Sequence, residues 1–101
     1  MSSFTITRKA KADLIEIARY SQEHWGIDQR NRYLTLLDTS FWQLAANPLK
    51  GKDCSDIKSG YRKFSVGSHV VFYHQISTAS IEIIRVLHSR MDTESRLLEP
   101  K

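Results

Sequence analysis

The chain has 101 residues, 41% hydrophobic and 26% charged. That is the balance of one soluble domain spanning 1–101, with one modest core and no room for two. Fifteen Lys and Arg against eleven Asp and Glu leave a formal charge of +4, a mild excess that permits an acidic partner or nucleic acid and selects neither.

Cys54 is the only cysteine, so no intrachain disulfide can form. It stands in a polar stretch, KGKDCSD, without a partner motif, and is expected to be incidental, in a reducing compartment. The N-terminus MSSFTITRKAK has no apolar signal core, and no run approaches a membrane span. The expected location is the cytoplasm, with no membrane partner.

Phe4-Thr5-Ile6-Thr7 alternates and predicts a short first strand. Thr7 then suits a helix N-cap. Leu14, Ile17, Ala18, Ser21 and Trp25 recur at helical spacing, which predicts a helix over 8–25 with Trp25 on its core stripe. Gly26 ends it, because glycine takes the left-handed conformation without strain. Asp28 is positioned to cap a second helix whose stripe is Tyr33, Leu37, Ser40, Phe41 and Leu44. Asn47-Pro48 stops that helix. A connection of two or three residues makes the pair an antiparallel hairpin.

Residues 49–59 are polar and aperiodic and read as a loop. Three strands follow: Tyr61–Val66, His69–Ile76 and Ser80–Leu87. Their short connections make an antiparallel meander. Met91 to Leu98 has the spacing of a short helical turn. The predicted fold is α+β: a helical hairpin on one face of a meander, in two layers, with the other face left half open.

Alternation along the strands assigns faces. His69, Val71 and Tyr73 share one, while Val70, Phe72 and His74 share the other. On the last strand, Ile81, Ile83, Arg85 and Leu87 form one row. Arg62 and Lys63 point oppositely.

Metal binding is disfavoured because His69 and His74 face apart and no carboxylate or thiolate sits at ligand spacing. No cofactor is expected, since nucleophile elbows and phosphate-cradling glycine loops are absent. The serious enzyme candidate is metal-free RNA cleavage. It needs a base, an acid and cations for the phosphorane charge, and His69, Tyr73 and Arg85 are the residues that the strands offer. The alternatives for these residues are a paired guanidinium and ordinary sheet packing.

Several stretches together form a distinctive ordered set: KADLIEIARYSQEHWG, RYLTLLDTSFWQLAANPLKGK, GYRKFSVGSHVVFYHQ and IEIIRVLHSRMD. On them the chain resembles the ParE toxins of the RelE/ParE superfamily of bacterial toxin–antitoxin modules, over nearly its whole length. The resemblance implies a strand, a helical hairpin and a meander. It also implies a cytoplasmic toxin, associated with plasmid stabilisation, that a ParD-like antitoxin neutralises by wrapping around it.

The superfamily divides by target. The RelE-like branch cuts mRNA in the ribosome. The ParE-like branch is associated with inhibiting DNA gyrase, without demonstrated cleavage chemistry of its own. This chain departs from the cutting pattern. Val70 stands where that branch tends to carry an arginine early in the third strand, and no tyrosine follows His88.

The resulting expectation is a gyrase-binding toxin acting without catalysis and without direct nucleic-acid binding of its own. Arg62, Tyr73, Arg85, His88 and Arg90 are the candidate target contacts. A RelE-type endonuclease using His69, Arg85 and His88, and an inactive antitoxin-binding member, are the alternatives.

Overall fold

The computed structural model describes residues 2–98. In chain order the elements are β1 (Ser3–Ile6), α1 (Arg8–Trp25), α2 (Ile27–Ala46), β2 (Lys52–Asp53), β3 (Tyr61–Val66), β4 (His69–Ser77), β5 (Ser80–His88) and α3 (Thr93–Leu97). The five strands form one sheet in the order β1-β5-β4-β3-β2. All neighbours are antiparallel except β1, which lies parallel to β5.

Thr7 does two jobs at the start of α1. Its Oγ1 accepts from the Ala10 N–H at 3.1 Å and donates to the Ile84 carbonyl at 2.8 Å. The cap satisfies an otherwise orphaned helix N–H, worth about 1 kcal/mol. The second bond ties the helix entry to β5.

The helices are joined by Gly26 alone, at φ 88°. The connection is shorter than the spacing of Asp28 implied. Gly26 is itself the N-cap of α2, and Asp28 lies inside the first turn with no side-chain capping bond.

The core between hairpin and sheet is built on Leu37, Phe41 and Leu44 from α2, Ile17 from α1, and Val71, Tyr73, Ile81, Ile83 and Val86 from the sheet. Each fully buried aliphatic side chain here contributes about 1.5–3 kcal/mol. Trp25 does not join them. It is 70% exposed at the hairpin tip. Trp42 is half exposed and meets Phe4 edge-on, with ring centroids 4.7 Å apart.

The opposite face is not bare. Cys54, Tyr61, Phe72, Ile84, Leu87 and Leu97 form a second buried cluster. The segment after β2 and the docked α3 cover that part of the sheet. Cys54 is therefore a core residue, and burial raises its thiol pKa above the usual range. The aperiodic stretch also holds the short β2, which pairs Lys52 with Lys63 and Asp53 with Arg62.

The largest departure from the expected register lies in β5. Arg85 pairs with Phe72, and Ile83 with Tyr73, so Ile84 has no partner on β4. This bulge shifts the alternation by one residue. Ile81, Ile83 and Val86 face the hairpin, whereas Ile84 and Leu87 face the second cluster. The single row Ile81-Ile83-Arg85-Leu87 does not exist.

Candidate functional site

The bulge decides where the β5 side chains go. Beyond Ile83 the strand has run past its partner β1. Asp13 of α1 takes over that edge. Its carboxylate accepts from Arg85 Nε at 2.8 Å, from Arg85 Nη2 at 2.9 Å and from the Val86 N–H at 3.0 Å. Arg85 also donates to the Arg96 carbonyl at 3.1 Å, which joins α3 to the strand. The guanidinium is thus a bracket among α1, β5 and α3, lining a cavity of about 260 Å³ with Lys58 and Leu97.

His69 and His88 come together instead. They are directly opposed across β4 and β5, with ring centroids 5.2 Å apart and nearly perpendicular. Tyr33 reaches them from α2. Its hydroxyl lies 2.5 Å from His69 Nδ1 and accepts from the Ser68 N–H at 3.1 Å. The nearness favours donation of its one proton to His69 over the Val66 carbonyl at 3.2 Å.

Gly67 makes this approach possible. Its φ of 56° turns the hairpin, and a side chain there would strike the Tyr33 ring. Burial raises the Tyr33 pKa, so the hydroxyl remains a donor at neutral pH.

Burial, with a smaller contribution from His88, pushes His69 down to about 4. The ring is neutral at physiological pH, with Nδ1 accepting and the proton on Nε2. His88 Nδ1 accepts from the Arg90 N–H at 3.1 Å. A backbone N–H only donates, so Nδ1 of His88 is the accepting nitrogen and Nε2 the one left to donate.

The pair floors a groove of about 560 Å³ walled by Ile17, Tyr20, Trp25 and Met91. Its lining is mostly apolar by area, with the two imidazoles and the polar side chains of Glu16, Ser21, Gln29 and Ser68 among its residues.

The other expected contacts lie elsewhere. Tyr73 is fully buried. Its hydroxyl donates to the Pro48 carbonyl at 2.7 Å and accepts from the Gly51 N–H at 2.8 Å, so it is a strut holding the end of α2 and the following loop. It is not a surface contact: alternation aims it at the hairpin, and no strand edge lifts it to solvent. Arg62 is half buried and donates to the Gly51 carbonyl at 2.8 Å. His88 is half buried and Arg90 is exposed. His69, Arg85 and His88 do not form one site, since the histidines line the apolar groove and Arg85 another cavity. No cluster of metal-ligating side chains occurs among the described residues.

Sequence reasoning overlooked Tyr33 and Asp13. Tyr33 was legible only as a helix-stripe residue, and Asp13 only as one acid of α1. Nothing in their spacing points to a strand some forty or seventy residues away.

A two-layer fold of a helical hairpin on a mixed five-stranded sheet, with a short C-terminal helix, is shared with a solved structure described as a chromosomal ParDE TA system from P. aeruginosa. The match has a TM-score of 0.72 at 20% identity and covers 87% of this chain and 96% of that one.

Sequence comparison narrows the class. Residues 4–93 match the model of the ParE toxin of the type II toxin–antitoxin system parDE. Toxin ParE1 of Mycobacterium tuberculosis is 41% identical over 96 residues, 95% of this chain and 98% of that protein. Toxin ParE1 of Caulobacter vibrioides is 38% identical over 97 residues, 96% and 99% of the two chains. Toxin ParE of Escherichia coli is 32% identical over 99 residues, 98% and 96%. The chain belongs to the ParE toxin family of type II toxin–antitoxin systems.

Proposed function

We propose that this protein is a cytoplasmic toxin that binds and inhibits DNA gyrase without cleaving its target, and that a ParD-type antitoxin holds it inactive. The observation that carries the reading is the near-full-length match to ParE toxins. The side-chain arrangement supports binding over cleavage. Arg85, the cation that a phosphorane would need, is engaged by Asp13 and lines a different cavity from the two histidines. His88 and Arg90 remain the candidate target contacts at the end of β5.

The hairpin supports an antitoxin partner. Ile15, Tyr20, Trp25, Ile27, Leu36 and Trp42 are each between 47% and 70% exposed. Large apolar side chains spread along both helices suit a segment that folds on binding and covers them. An acidic segment would also complement the +4 chain.

The test is gyrase supercoiling with purified protein. Inhibition that is reversed by the antitoxin, without cleavage of ribosome-bound mRNA, is expected. Unimpaired supercoiling together with immediate translation arrest on expression would replace this reading by the nuclease one. The adjacency of His69 and His88 is the one feature that favours that second reading, in which they would serve as base and acid for transfer at a ribose hydroxyl.

A further inference from the structure

A second groove, of about 470 Å³, lies at β3 and the start of β4 beside α3. Lys50, Lys52 and Lys63 line it with the hydroxyl residues Ser65, Ser89 and Thr93. No Asp or Glu is among its lining residues.

Two features set the groove apart from an ordinary solvated surface. Lys52 and Lys63 are directly opposed across β2 and β3. Like charges in that position repel and destabilise the pairing, yet neither lysine has an ion-pair partner among the described residues. Lys50 is held at the groove as well, its Nζ 5.3 Å from the centre of the Phe64 ring. The repulsion between Lys52 and Lys63 costs stability, and an anion seated between the ammonium groups would relieve it.

We infer that this groove is a binding site for the phosphate backbone of nucleic acid, read without base specificity. The choice of polyanion follows from the lining. A protein segment docks through buried apolar anchors, and here only Phe64 and Val70 are apolar, with Phe64 lying under Lys50. Ammonium and hydroxyl donors without an anchor pocket are what phosphate contacts use. The apolar histidine groove has the opposite character. The inference is independent of the gyrase reading, and it departs from the expectation that the toxin alone does not touch nucleic acid.

The experiment is fluorescence anisotropy of a labelled mixed-sequence duplex of about 20 base pairs, titrated with the full chain between about 50 and 200 mM salt. Three phosphate contacts give a logarithmic slope of about −2.7, so affinity should fall about 40-fold across that range. Lys52→Gln and Lys63→Gln should each weaken binding and lower the slope by about 0.9, leaving about a 12-fold fall. Both variants should melt no lower than the native chain, because each removes a repulsion. Lys11→Gln, an exposed charge on α1, should change the slope less.

Binding unchanged in both groove variants would overturn the inference. So would equal losses in Lys11→Gln, which marks diffuse charge only. Binding of a polyglutamate probe at the groove with none of the duplex would assign it to an acidic protein instead.

Discussion

Asp13 and Arg85 lie 72 residues apart and meet in a two-pronged ion pair, with N–O distances of 2.8 and 2.9 Å and side chains only 15% and 11% exposed. The same carboxylate receives the Val86 N–H. A single side chain of α1 thus closes the edge of β5 where β1 stops. Removing one member of such a pair strands a buried charge, which costs about 3–5 kcal/mol. Asp13→Ala should lose stability on that scale in urea denaturation. Arg85→Lys should not substitute for Arg85, since an ammonium cannot reproduce the paired geometry. A change under about 1 kcal/mol for Asp13→Ala would show the pair behaving as a surface one.

Arg90 presents the contrast. It is exposed just past the end of β5. Arg90→Ala should shift stability by less than about 0.5 kcal/mol, while an interface arginine can account for 2 kcal/mol or more of binding, about a 30-fold loss. The paired measurement is thermal midpoint and gyrase inhibition. Full inhibition by Arg90→Ala would move the target surface elsewhere, and a collapsed midpoint would make the residue structural.

His88→Gln distinguishes binding from cleavage. Glutamine retains hydrogen-bonding groups but not a titrating imidazole. Growth inhibition at matched protein level should persist. A general base contributes about 10²–10⁴-fold, so complete detoxification with an intact fold would favour the nuclease.

His69 predicts a pH dependence. Its folded pKa is near 4, below the ordinary 6.5. The unfolded chain therefore binds the proton first as pH falls. This contribution to stability is fully present above about 6.5, is lost progressively between about 6.5 and 4, and then levels off. Its size is roughly 1–2 kcal/mol after discounting for solvent that reaches the ring. His69→Asn should flatten that limb of the stability curve; an unchanged limb would show that another group causes it.

Hydrogen exchange with and without the antitoxin maps the covered surface. Protection is expected along the outer side of α1 and α2 and at a sheet edge. Protection restricted to residues 49–59 would exclude the hairpin as the docking surface.

Local signals carried much of the architecture. Thr7, Gly26 and Asn47-Pro48 bound the helices because caps and breakers act within a few residues. The turn at Gly67-Ser68 and the flanking alternation fixed β3 and β4 for the same reason. The ordered motifs were enough to reach the family.

The sequence by itself therefore determined the elements other than β2, the hairpin, its packing on the meander and the ParE kinship. Tertiary structure alone decided which candidate residues meet. Alternation assumes an unbroken register, and the unpaired Ile84 breaks it. Around that bulge Thr7 takes the Ile84 carbonyl and Asp13 the Val86 N–H. The resulting shift sends Arg85 to Asp13 and leaves His88 beside His69. Tyr73 and Cys54 were misjudged for a related reason. Burial depends on what the distant chain lays over a strand, and period and spacing record only the strand itself.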